Sequence, residues 1–249
     1  MRSQYLHRNP QRLRRPGRVR SPWIYLLYLT VLSLPASAQD LSVDAILDRL
    51  KESSETLVDA SFLLTGRLID PDGTEIILEI EVEAIPKASA VRAYFIQPDA
   101  LADNFIVLDG DIIYNYLFLT NQVMLLDATD PDALGGLLPQ SEEGEAFEPS
   151  LDLEEILAGF KATVMDYIST PAGDSYLMRF DNLDPKAAVG YVEAQIVDGD
   201  WYPYRLTYFQ ADGVLLFDLV LEDFRRDQGL VKEDVTFIPA DAEVIDERN

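Results

Sequence analysis

Forty-four carboxylates and no cysteine define the chemistry open to this sequence. The lone histidine, His7, lies in an arginine-rich leader. Past that leader no histidine remains to act as a general base, and neither a Ser-His-Asp nor a Cys-His arrangement can be assembled. The acids bunch as DGD at 109–111 and 198–200, and as DATDPDALGG at 127–136. A calcium loop of the helix–loop–helix kind needs glycine at its sixth position and glutamate at its twelfth, and none of these stretches has that spacing. Aspartate beside glycine is ordinary turn material, which is how we read all three. Paired acids can also hydrolyse glycosides. Among 44 acids, however, some pair always falls at a suitable spacing, so the spacing argues nothing. The expectation is a protein that is not an enzyme, with no cofactor and no metal site.

The leader has its own logic. Residues 1–20 hold seven arginines and no acid, WIYLLYLTVLSL fills 23–34, and Ala36 and Ala38 are the small residues a signal peptidase reads. This predicts a secretory signal peptide at 1–38, cleaved after Ala38, ahead of a single domain at 39–249. The apolar run is too short for an ordinary membrane span. Beyond the leader, 13 basic residues face 44 acidic ones, a formal charge of −31. Such a charge repels nucleic acid and anionic headgroups. About 211 residues are enough to bury one full core. The sequence thus reads as a soluble, exported monomer with no nucleic-acid partner.

The elements come next. Leu41 to Leu57 reads as a helix capped by Ser42, with Val43, Ile46, Leu47 and Leu50 on one stripe. From Asp59 the apolar period changes to two. In TEIILEIEVEA (74–84), Ile76, Leu78, Ile80 and Val82 alternate with Glu79, Glu81 and Glu83. Strands are expected near 59–69, 74–85, 90–96, 104–108, 111–117 and 121–126, then near 160–169, 175–181, 188–197, 201–209, 214–224 and 230–237. Between the two sets, 127–155 reads as a long crossing with short helices at the apolar clusters 134–138 and 151–157. Several strands, among them FLLTGRLI (62–69), IIYNYLFL (112–119) and VLLFDLVL (214–221), are apolar on both faces. Either both faces are covered or one of them lines a cavity. Alternating strands behind a signal peptide also suit an outer-membrane β-barrel, which is the reading of another class.

Several stretches resemble one family in order. AILDRLKESSETLVDASFLLTGRLI (45–69) is similar to the first helix and strand of LolA-type outer-membrane lipoprotein carriers. AVRAYFIQPDALADNFIVLDGDIIYNY (90–116) resembles the family segment in which a basic-aromatic strand reaches Gln-Pro, then a strand, a DG turn and an aromatic strand. LLDAT (125–129) stands where that family enters its helical crossing, and VTFIPADAEVID (235–246) resembles its closing strand and tail. The resemblance implies a mainly β fold, an incomplete antiparallel barrel of about eleven strands with an α-helical lid. It implies a periplasmic carrier that shields the acyl chains of lipoproteins or other lipids and moves them from inner to outer membrane. The partners implied are acylated lipoproteins or lipids, an inner-membrane lipoprotein-releasing transporter and an outer-membrane acceptor. A periplasmic lipid-sensing or lipoprotein-sensing domain of the RseB type is the alternative within the fold.

Combined with strand parity, the resemblance predicts an acyl-chain wall of Phe62, Leu64, Leu78, Ile80, Val82, Phe95, Tyr114, Leu206, Phe217 and Leu219. The lid would present Ile46, Leu50, Leu137 and Leu157. In the family an Arg before the basic-aromatic strand ties lid to barrel, and here Lys87 or Arg92 is expected in that role.

Overall fold

The structure, a computed structural model, describes residues 41–69, 73–129 and 159–248. The expected signal peptide and most of the helical crossing, including Leu137 and Leu157, lie outside them. The first element is helix α1 (Val43–Thr56). Ser42 Oγ accepts from the Ala45 N–H at 3.3 Å, and Asp44 places an acid in the first turn, where the helix dipole favours it.

Strands β1 (Ala60–Ile69), β2 (Glu75–Ile85), β3 (Ala90–Gln97), β4 (Phe105–Asp109), β5 (Ile112–Leu117) and β6 (Gln122–Asp127) form a first antiparallel meander. A second runs through β7 (Phe160–Thr170), β8 (Gly173–Asn182), β9 (Tyr191–Val197), β10 (Pro203–Phe209) and β11 (Leu215–Arg226). Pairing of β1 with β11 joins the two, and β12 (Glu243–Asp246) adds to β6 in parallel, so the order is β12-β6-β5-β4-β3-β2-β1-β11-β10-β9-β8-β7. The ends of this sheet, β12 and β7, do not pair with each other. A barrel that spans a membrane leaves no open edge, so the outer-membrane barrel reading does not fit.

One expected strand is corrected. Residues 230–237 form no strand; Lys232–Val235 is a short helix, α2, and the twelfth strand is 243–246. The cause is distant in sequence. The Asp59 carboxylate accepts N–H groups from Gln228 (2.7 Å), Gly229 (2.9 Å) and Leu230 (3.3 Å), which turns the chain away from the end of β11. Val231 and Val235 are then spaced for a helical turn, and Val235 is fully buried.

Two apolar clusters lie on opposite faces of the sheet. Ile46 and Leu50 of α1 pack on Tyr176, Met178, Phe180, Val192, Ala194 and Ile196. On the other face Phe105, Val107, Tyr116 and Val123 are covered by Ile238 and Ala242 of the C-terminal segment. This explains why 112–119 is apolar on both sides: the chain's own tail shields one of them.

Gly66 marks a close approach between β1 and β11. A Cβ there would run into the Asp218 carbonyl oxygen and crowd Leu219. Gly66→Ala is expected to force the two strands apart and cost about 2 kcal/mol or more, read as a lower urea midpoint.

Candidate functional site

Strand register decides which side chains share a face. Ala194, under α1, lies opposite Leu206, which lies opposite Leu219, then Gly66, then Leu78. A parallel row runs from Val192 through Tyr208 and Phe217 to Leu68 and Ile76. A third joins Leu221, Leu64, Ile80 and Phe95, and beside it Phe62 meets Val82. Nine of the ten wall candidates therefore stand on one face, the face that carries Ile46 and Leu50 at its β7–β9 end. They are Phe62, Leu64, Leu78, Ile80, Val82, Phe95, Leu206, Phe217 and Leu219, and all nine are half-buried. Glu79, Glu81 and Glu83 alternate onto the opposite face. Burial pushes the Tyr208 phenol above its ordinary value, as expected for a hydroxyl set among apolar side chains.

Tyr114 does not belong to this wall. Its register partners are Val107 and Leu125, both in the cluster under the C-terminal segment. The two-residue turn at Gly110–Asp111 pairs Asp109 with Ile112, which sends Ile113 and Asn115 to the α1 side and Tyr114 away from it.

The cation at α1 is also not one of those expected. Lys87 is exposed in a short turn at Pro86–Ala88. Arg92 lies 3.9 Å over the Phe105 ring and donates to the Phe237 carbonyl at 2.8 Å, so it fastens the C-terminal segment on the face away from α1. Burial holds its guanidinium below the ordinary arginine value, against the opposing pull of Glu83 and Tyr94. Arg226, from the end of β11, is the residue that reaches α1. It donates to Ser53 Oγ at 3.1 Å and to the Ser53 carbonyl at 3.4 Å, while Ser53 Oγ donates to the Asp200 carbonyl at 3.2 Å. The last turn of α1 has no basic residue of its own, so Arg226 supplies the positive charge its carbonyl end favours. Arg49 adds a contact 5.1 Å over the Trp201 ring, and Asp227 accepts the Val58 N–H at 3.0 Å. The register of β1 with β11 places Arg226 opposite Ala60, and no local signal in the sequence shows that it meets α1.

Arg226→Ala is expected to loosen the C-terminal turn of α1. The stability loss should be about 1–2 kcal/mol, with faster hydrogen exchange confined to residues 50–58. Arg226→Lys should recover only part of it, because lysine lacks the planar fork that serves two acceptors.

Among the described residues, no group of three or more metal-ligating side chains gathers, and no helix is long and apolar enough to cross a membrane. What the arrangement offers is surface: a broad, half-buried apolar face on the α1 side of the sheet.

No family model and no curated protein matches the chain. Solved structures do. An uncharacterized conserved protein from Thermus thermophilus superposes over 83% of this chain and 99% of its own, at 22% identity and a TM-score of 0.57. MucB, a Pseudomonas aeruginosa protein, covers 82% of this chain with 66% of its own, at 14% identity and a TM-score of 0.52. A LolA superfamily protein from Nitrosomonas europaea covers 79% with 98% of its own, at 13% identity and a TM-score of 0.38. At these identities the likeness is one of fold, and the last score is too low to argue from. Among the described residues, twelve strands in one unclosed, almost wholly antiparallel sheet, with an amphipathic helix laid on one face, make an open half-barrel, the fold this chain shares with the Thermus thermophilus protein and with MucB.

Proposed function

We propose that the protein is a periplasmic carrier that lays the acyl chains of lipoproteins, or of other lipids, on the α1 side of its sheet and moves them from inner to outer membrane. One observation supports this above the rest. Nine large apolar side chains from β1, β2, β3, β10 and β11 stand together on one face and remain half-buried, while α1 packs at the β7–β10 end, where Leu206 is the one of the nine that borders its cluster. Hiding hydrocarbon from water is worth about 0.8 kcal/mol per methylene, so one long acyl chain gains on the order of 10 kcal/mol on such a wall. The task needs area, with no catalytic group. On this reading the chain is exported after loss of 1–38, and it works between an inner-membrane lipoprotein-releasing transporter and an outer-membrane acceptor.

Native mass spectrometry of the protein recovered from the periplasm tests the reading. Acylated polypeptide or lipid should accompany it, and protein that carries neither, even after incubation with a triacylated peptide, overturns it. A lipid-sensing or lipoprotein-sensing role of the RseB type, in which the same apolar face would receive the lipid, is the second reading. Transfer separates the two: a carrier hands a bound triacylated peptide to acceptor vesicles, whereas a sensor retains it.

A further inference from the structure

A tyrosine hydroxyl set against apolar surroundings normally finds a partner. Three phenols of this chain do: Tyr94 donates to Asp103, Tyr116 to Asn121 and Tyr167 to Asp198. Tyr208 does not. Among the described residues its hydroxyl makes no hydrogen bond, and burial alone raises the phenol above its ordinary value.

Register puts this donor at a seam. Tyr208 of β10 lies opposite Val192 of β9, which is under α1, and opposite Phe217 of β11, which belongs to the open wall. Its ring packs against the α1 cluster on one side and meets Phe217 edge-on at the other, with 5.8 Å between centroids. No fully enclosed polar side chain among the described residues lacks a partner, so the unpartnered Tyr208 hydroxyl reaches open space on the α1 side.

In the empty protein water serves this donor. An acyl chain laid across the wall removes that water, and the hydroxyl then needs an acceptor carried in by the cargo, or it is left unsatisfied. The row of Val192, Tyr208, Phe217, Leu68 and Ile76 holds no charge. Arg49 and Arg226, the arginines described at α1, are engaged with Trp201 and Ser53 beside the start of β10, whereas Tyr208 lies near its end. A phosphate or carboxylate at Tyr208 would therefore be dried without a countercharge, which is far more costly than drying a neutral group. A neutral carbonyl takes the one hydrogen bond that a phenol donates and leaves the rest of the molecule apolar. Acyl chains carry such a carbonyl at their head. From β10 to β3 the wall covers four strand spacings, roughly 19 Å, against the ~15 Å that one bilayer leaflet gives its hydrocarbon. A chain whose carbonyl lies at Tyr208 thus has wall beneath its whole length, as far as Phe95 of β3.

Resting on the lipid-binding reading above, we propose that the Tyr208 hydroxyl donates to the carbonyl of an acyl ester and so fixes which end of the chain lies beside α1. The cargo class this selects is acyl esters, in preference to hydrocarbon of the same length without a carbonyl.

Displacement of a hydrophobic dye from the purified protein tests it, with dioctanoylglycerol as the ester and di-O-octylglycerol, its ether twin, as the control. Tyr208→Phe should weaken the ester about fivefold, leave the ether unchanged and keep the urea midpoint of the parent. Infrared spectroscopy of ester labelled with carbon-13 at the carbonyl gives a second readout. Bound to the parent, the band should lie at the lower frequency of a hydrogen-bonded carbonyl, and bound to Tyr208→Phe at the higher frequency of a free one. The inference is overturned if Tyr208→Phe binds the ester as the parent does, if it weakens ester and ether alike, or if the band is the same in both proteins. A parent protein that binds neither lipid overturns the carrier reading with it; one that binds both, with no difference made by Tyr208→Phe, overturns this inference alone.

Discussion

Ile80→Glu should abolish lipid and hydrophobic-dye binding while the protein still unfolds cooperatively. Ile80 lies opposite Leu64 on one side and Phe95 on the other, at the middle of the apolar face, and is half-buried. With no cargo bound, a carboxylate there stays within reach of water and costs the fold little. With an acyl chain laid across it, the charge must be dried, and an unpaired buried charge is far more costly than a buried polar group. Affinity should fall roughly a hundredfold or more, about 3 kcal/mol. Tyr114→Glu is the control. It stands on the opposite face among Val107, Leu125 and Ile238, so it should lower stability and leave dye binding alone. An Ile80→Glu protein that is unfolded, or that binds lipid as well as its parent, would make this face ordinary core.

Asp59→Ala is expected to be the most destabilising single change. Its carboxylate is fully buried and accepts three backbone N–H groups from Gln228, Gly229 and Leu230. The Asp59 carbonyl also accepts the Asp227 N–H at 2.9 Å. Alanine would leave the three N–H donors of this part-buried turn without their acceptor, at about 1 kcal/mol or somewhat more each. A total loss of roughly 3–5 kcal/mol is a large share of the 5–15 kcal/mol that holds a typical domain together. Asn keeps one acceptor oxygen and should lose less. Urea unfolding measures the total, and hydrogen exchange locates it: α2 and β12 should lose protection first, because this clasp is where the C-terminal segment leaves the sheet. A loss under about 1 kcal/mol would mean that the segment is held elsewhere, through Arg92 and the Lys232–Asp109 pair.

Local periodicity carried most of the fold. The alternation in 74–84, the helical stripe of Val43, Ile46, Leu47 and Leu50, and turn residues such as Gly110 each act over a few positions, so they are legible without the rest of the chain. For the same reason nine of the ten wall candidates, assigned by parity, fall on one face. Tyr114 was misplaced because parity has to be carried across the turn at Gly110–Asp111, and a shift of one residue exchanges the faces of a whole strand.

The sequence by itself determined an acidic, histidine-poor and cysteine-free chain of alternating strands behind an amphipathic helix, with oily residues in phase along each strand. Those properties are written in neighbours, and steric and solvation preferences at that range act whatever the rest of the chain does. Only the tertiary structure decided what meets what. Arg226 reaches Ser53 across 173 positions, and Asp59 turns the chain at Gln228 across 169, which replaces an expected strand with a helical turn. The tail, not a ligand, covers the second oily face of β5. Arg67 joins the row of Asp218, Thr207 and Glu193 because β1 pairs with β11, far away in sequence, in a particular register. Such contacts depend on hydrogen bonds and charges that find partners only once the sheet has formed, so no window of sequence contains them.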